Sequence, residues 1–152
     1  MFRGVPGNQP ILDIGCGMGA AVPILDLLGV VRYHGVDPSL ESIEFCRRTW
    51  PDLKFEQGEI RTIGDAYPEY FGGCISASML MHIPRSDIHR ALHSLRRSLV
   101  RGAPCLIETG VMQDGIGMLK RGGFSVTLYS KDELIAALEQ SGFCKATIWY
   151  RV

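Results

Sequence analysis

Three glycines and one carboxylate carry the most chemistry in this chain. Gly15, Gly17 and Gly19 follow directly on a short apolar run, Ile11–Ile14. A strand that ends in such a turn lets a ligand lie against bare backbone, and the helix that follows offers its first N–H groups to that ligand. A second apolar segment ends in Gly35-Val36-Asp37. That places one carboxylate at the tip of the neighbouring strand, where it can accept the hydroxyls of a ribose or cap the helix that starts at Pro38. Together these residues predict a site for a nucleoside cofactor. His82 is the candidate general base, because imidazole titrates near neutral pH. Its alternative role is to cap the next helix or pack under the loop.

Alternating strands and helices must hold these residues in place. Ile11–Ile14 reads as strand one, Ala20–Leu28 as a helix stopped by Gly29, and Arg32–Val36 as strand two. Pro38 opens a helix that runs to Trp50, and Leu53–Gln57 is strand three. A short helix is expected near Asp65–Tyr70, followed by strand four at Cys74–Met79. Ser86 or Asp87 caps the clearest amphipathic helix, in which Ile88, Leu92, Leu95 and Leu99 share one side. Pro104–Thr109 is strand five, and the Gly- and Met-rich stretch Gly110–Gly123 reads as a loop. Phe124–Tyr129 is extended, Ser130-Lys131-Asp132-Glu133 is a capping box for a helix through Gln140, and Cys144–Tyr150 is a last strand. The pattern predicts one α/β domain with a mostly parallel sheet.

The bulk numbers agree. A chain of 152 residues suits one domain, and 16 basic against 16 acidic residues argue against a protein dominated by nucleic-acid phosphate contacts. The basic face His89–Arg97 has no interleaved aromatic residues and reads as a solvated helix surface. No apolar run reaches the roughly 20 residues of a membrane span, and no signal peptide opens the chain. The 5 cysteines are scattered with no C-x-x-C pair, as expected of small core residues in a reduced, cytoplasmic protein without a zinc site.

Read in this order, the chain resembles the class I S-adenosylmethionine (SAM)-dependent methyltransferases. The resemblance rests first on Asp13-Ile-Gly15-Cys-Gly17-Met-Gly19, on Asp37, and on Gln57-Gly58-Glu59-Ile60 after strand three. It continues through Ile75-Ser76-Ala77-Ser78-Met79-Leu80-Met81-His82-Ile83-Pro84, Leu99-Val-Arg-Gly102-Ala103-Pro104, and Ser130-x-x-Glu133-Leu134 to Ser141-Gly142-Phe143. It implies a three-layer α/β/α sandwich around a doubly wound, mostly parallel seven-stranded sheet of order 3-2-1-4-5-7-6, strand seven antiparallel, with SAM at the carboxyl ends of strands one to four. By the same resemblance Gly15, Cys16, Gly17 and Gly19 touch the methionine portion of SAM, and Asp13 holds its ammonium group directly or through water. Asp37 accepts both ribose hydroxyls, with Pro38 beside it. Glu59 and Ile60 meet the adenine from its edge and face, and Ser78 and Met79 line the space next to the methyl group. The implied reaction is methyl transfer to O, N or C of a small-molecule substrate, leaving S-adenosylhomocysteine. The partners expected are that substrate alone, with no membrane and no nucleic acid. Alignment and exclusion of water carry such a reaction, so a catalytic side chain is not obligatory.

The chain departs from the family pattern in three places. Gly73 stands where an acidic residue commonly opens strand four, and Arg101-Gly102-Ala103 replaces the Pro-Gly-Gly turn. Only a short segment precedes Ile11, where relatives carry covering helices. The expectation is therefore a single domain over residues 1–152 with little or no N-terminal lid, a lid made by Gly110–Gly123, or a trimmed chain. Two other functions fit parts of the pattern. Gly15-x-Gly17-x-x-Ala20 with Asp37 also satisfies the dinucleotide fingerprint, but a nicotinamide-dependent oxidoreductase would need a pair such as Tyr-x-x-x-Lys, which the sequence lacks. A non-catalytic SAM-binding domain is the other alternative.

Overall fold

A computed structural model describes residues 8–30, 32–112, 117–121 and 124–144, with residues 112, 117–121, 124 and 125 described by backbone alone. Five short runs form one parallel sheet. They are β1 (Ile11–Ile14), β2 (Tyr33–Asp37), β3 (Lys54–Gln57), β4 (Gly73–Ala77) and β5 (Cys105–Glu108), side by side in the order β3-β2-β1-β4-β5. All four residues of β1 are buried. That explains its apolar residues Ile11, Leu12 and Ile14, because a central parallel strand is covered on both faces. Register places Asp13 beside Gly35 on one side and Ile75 on the other, and Ala77 beside Glu108.

Side-chain alternation divides the core into two layers. Leu12, Ile14, Val36 and Cys74 face α4 (Ile88–Ser98), where Ile88, Leu92 and Leu95 pack with Leu99, Phe71 and Leu80. Tyr33 and Phe55 face the other way, against Val22 and Leu25 of α1 (Val22–Leu27) and Ile43 and Cys46 of α2 (Leu40–Thr49). Each fully buried Leu, Ile or Phe contributes about 1.5–3 kcal/mol through lost apolar exposure. A four-residue helix, α3 (Ile63–Ala66), and α5 (Lys131–Gln140) complete the α4 side. From β1 the chain runs outward through β2 to β3 and then crosses back to β4 on the other side of β1, so the strand order reverses beside β1, and its carboxyl end is the position where open α/β sheets take ligands.

Several expectations change. The stretch Gly110–Gly123 is not a loop throughout, because it contains β6 (Val111–Met112) and β7 (Gly117–Arg121). With β8 (Phe124–Ser130) these form a second sheet of order β6-β8-β7, β7 antiparallel to β8 and β6 parallel to it. In the sequence Gly122-Gly123 separates β7 from β8, and a glycine pair between two extended runs is a hairpin signal as much as a loop signal. The expected strand at Phe124–Tyr129 is therefore present, but outside the main sheet, which has five strands among the described residues. The expected last strand, Cys144–Tyr150, lies outside the described residues apart from Cys144. α2 starts later than Pro38, with Ser39 as its cap, its hydroxyl accepting the Ser42 N–H at 3.2 Å. Neither Ser86 nor Asp87 caps α4 by its side chain. The Asp87 carboxylate is taken instead by Arg61 at 2.7 Å. The capping box of α5 is formed as expected, with Ser130 Oγ accepting the Glu133 N–H and Glu133 Oε2 accepting the Ser130 N–H at 2.9 Å.

Candidate functional site

The turn after β1 is shaped by what surrounds its glycines. Gly15 has φ +76°, a left-handed conformation, and a Cβ there would lie 2.4 Å from Met79 Cγ. Gly19 also has φ +76°, and a Cβ there would meet the Trp50 ring. Only glycine meets both demands, since other residues pay in strain and in overlap. Trp50 over Gly19, and the Cys46 thiol donating to the Gly17 carbonyl at 3.3 Å, brace the turn from the α2 side. Neither was anticipated from the sequence.

Asp37 joins the two strand ends. One carboxylate oxygen accepts the Gly17 N–H at 2.8 Å and the other accepts the Ser39 N–H at 2.9 Å. A carboxylate has about four acceptor positions. Two remain for further donors, so capping and ligand binding coexist. The Gly15 and Cys16 N–H groups both donate to the Val36 carbonyl, and Gly19 N–H donates to Cys16. The turn thus satisfies many of its own donors, and among the described residues the N–H groups of Met18 and Ala20 make no hydrogen bond. Pro38 is exposed beside this junction, its carbonyl held by Gln57 Nε2 at 3.0 Å.

Asp13 lies beneath the turn at 2 % exposure, where the Tyr33 hydroxyl donates to it at 2.7 Å. Burial pushes its carboxyl up to about 6 and the nearby Asp37 charge adds to this, while the Tyr33 hydrogen bond opposes it. Cys16 is buried too, and desolvation with the Asp13 and Asp37 charges pushes its thiol far above the usual range. It is therefore an inert packing residue whose backbone alone belongs to the turn.

The remaining candidates spread along the carboxyl ends of β3 and β4. Glu59 is half-exposed and pairs with Arg61 at 2.6 Å, while Arg61 also reaches Asp87. Ile60 is 4 % exposed, and its side chain is committed to the α4-facing core. Ser78 ends β4 in a left-handed conformation, φ +56°, uncommon for a residue with a side chain. Its N–H donates to the Glu108 carbonyl at 2.8 Å and its hydroxyl to Glu108 Oε2 at 2.7 Å. Met79 follows, against Gly15, and then the 3-10 turn Leu80–His82. His82 is exposed, and among the described residues no carboxylate orients its ring. The structure thus gathers Gly15, Gly17, Gly19, Asp37, Ser78 and Met79 at one end of the sheet, and adds Glu108.

The second sheet stands next to these residues. β8 packs on the turn Leu80–His82, and the Tyr129 hydroxyl donates to the Ile83 carbonyl at 3.1 Å. Arg85 makes a two-pronged pair with Glu133, at 2.6 and 2.8 Å, and lies over the Tyr129 ring. Arg85, together with the Ser130 N–H, pulls the Glu133 carboxyl down to about 2. Two hollows lie elsewhere. One of about 620 Å³ is lined by α4 and α5 residues including His93, Arg96 and Arg97, and one of about 240 Å³ by Arg32, His34 and Lys54. Neither includes a residue of the glycine turn. Among the described residues no helix is long and apolar enough to cross a membrane.

Comparison with known proteins supplies the family. The methyltransferase domain profile matches residues 11–102, from the first residue of β1 past the end of α4. No curated protein matches the chain. Among solved structures, a SAM-dependent methyltransferase from Mesorhizobium loti superimposes with a TM-score of 0.73 at 18% identity, covering 94% of this chain and 79% of that one. A SAM-bound amino pentose methyltransferase from Micromonospora echinaspora gives 0.73 at 15% identity, covering 93% and 78%. The cyclase SpnF gives 0.74 at 18% identity, covering 90% of this chain and 52% of its own. At such identities these neighbours speak for the fold, which serves more than one chemistry. The matched profile speaks for the family: this chain belongs to the methyltransferase domain family.

Proposed function

We propose that this chain binds SAM at the carboxyl ends of β1, β2 and β4 and directs its methyl group to a nucleophile of a small-molecule substrate. When bound, SAM supplies an activated methyl group with a neutral leaving group. The fit rests on one observation above the others: Asp37 ties the glycine turn to the start of α2 and keeps two acceptor positions free for ribose hydroxyls. The Met18 and Ala20 N–H groups are available to the donor's carboxylate. Asp13, buried and pushed up to about 6, holds the turn from below through Tyr33 and reaches an ammonium group only through an intervening water. Met79 and Ser78 form the wall where acceptor and methyl group meet, and the sheet around β8 covers the exit of β4. Alignment of this kind supplies on the order of 7–11 kcal/mol in favourable intramolecular cases, so no general base is assigned and His82 is left as a residue of the acceptor side.

Titration calorimetry of the chain with SAM, S-adenosylhomocysteine and NAD tests this. Heat of binding with the first two and none with NAD is the expected result. Binding of NAD alone overturns the proposal in favour of a dinucleotide enzyme. SAM binding without methyl incorporation into any small-molecule extract reduces it to a SAM-binding domain.

A further inference from the structure

Glu108 has no role in holding the donor, yet three features aim it at the place where an acceptor must sit. It closes β5 directly beside Ala77 of β4. Its carboxylate is exposed and receives the Ser78 hydroxyl at 2.7 Å, and no ion pair reaches it among the described residues. Ser78 in turn adopts a left-handed backbone, φ +56°, and both its N–H and its hydroxyl are spent on Glu108. Holding a non-glycine residue there costs backbone strain. Next to Ser78, Met79 is in contact with the glycine turn, so Glu108 is two neighbours away from the donor cradle. Beside it the Thr109 hydroxyl is buried without a partner.

We infer that Glu108 is the acceptor-binding residue and that the acceptor presents an amine. This rests on the reading of the glycine turn as the donor site. A carboxylate accepts hydrogen bonds from an ammonium and from a neutral amine N–H alike, so it holds the nitrogen before and after loss of its proton. With an acceptor hydroxyl it forms one hydrogen bond and no ion pair, and it repels an acceptor carboxylate. Ser78 is the positioning residue, since its hydroxyl fixes which Glu108 oxygen remains free.

The test is a calorimetric titration of the protein saturated with S-adenosylhomocysteine. The probes are matched pairs: benzylamine and benzyl alcohol, cyclohexylamine and cyclohexanol, glucosamine and glucose. The amine member of at least one pair should bind roughly tenfold more tightly than its alcohol, and in Glu108→Gln that preference should fall to near unity. The affinity for S-adenosylhomocysteine and the melting temperature should not move, because Glu108 is exposed and outside the donor cradle. Equal binding of amines and alcohols, binding of no amine, or an amine preference that survives Glu108→Gln overturns the inference. Failure of the unmodified protein to bind S-adenosylhomocysteine refutes instead the donor-site reading on which it stands.

Discussion

Met79 fills the space that a side chain on Gly15 would require, with 2.4 Å between an ideal Gly15 Cβ and Met79 Cγ. The glycine turn and the exit of β4 are thereby fitted to each other. Gly15→Ala should destabilise the fold by about 1–3 kcal/mol through overlap and backbone strain together. Adding Met79→Ala should restore only the part due to Met79 Cγ, because Met79 Cβ would still lie 2.6 Å from the new Cβ, and leave the part due to φ. Denaturant unfolding of the two single variants and the double variant measures the coupling. Strict additivity would show that the contact does not constrain the turn.

Asp37→Asn should weaken SAM binding by roughly 1–3 kcal/mol. The amide keeps one acceptor oxygen and turns an NH₂ toward a backbone N–H, so either Gly17 or Ser39 loses its partner. Calorimetry with SAM should show the weaker binding, and a lower melting temperature should accompany it. An unchanged affinity removes Asp37 from the site.

Two buried groups give stability opposite pH slopes. Asp13 is pushed up from 3.8 to about 6, so between those values the folded chain holds more protons than the unfolded chain and stability falls as pH rises. His34 is 1 % exposed, and burial, with the Lys54 charge, pushes it down from 6.5 to about 4 against the opposing pull of Glu56, whose Oε2 lies 3.5 Å from Nε2. Between those values the unfolded chain holds more protons, so stability rises with pH. Asp13→Asn should gain about 1–3 kcal/mol at pH 7, little at pH 3, and leave the rising slope of His34 exposed. Thermal unfolding of both chains from pH 3 to pH 8 checks the sign. A loss of stability at pH 7 would mean that the charged Asp13 stabilises the turn.

Arg85→Met should loosen β8 and α5 without unfolding the main sheet. The pair with Glu133 and the face of Tyr129 both hang on this one guanidinium. Hydrogen exchange should speed up over residues 124–140 and stay unchanged in β1 and β4. Equal acceleration across the chain would make the clamp a part of global stability instead.

What the sequence made legible is what neighbours along the chain decide. The run Ile11–Ile14, the glycines after it and the Ser130–Glu133 box each encode their structure within a few residues, through burial, φ and capping. What it hid depends on pairs far apart. The local pattern offers Ser86 or Asp87 as the cap of α4, but Arg61, which is 26 residues before Asp87, takes that carboxylate. Glu108 gave one faint signal, an acidic residue closing an apolar run. Its partner Ser78 lies 30 residues away, and only the register of β4 on β5 joins them. The glycines of Gly110–Gly123 favour a loop, though the pair Gly122-Gly123 in the sequence also signals a hairpin.

The turn around Gly17 meets its neighbours chiefly through peptide groups, whereas the exit of β4 and β5 presents the side chains of Ser78, Met79, His82 and Glu108. Replacing a side chain leaves a peptide group where it was. On the proposed reading, descendants of this chain can therefore exchange one acceptor for another by single substitutions while the donor they use stays fixed.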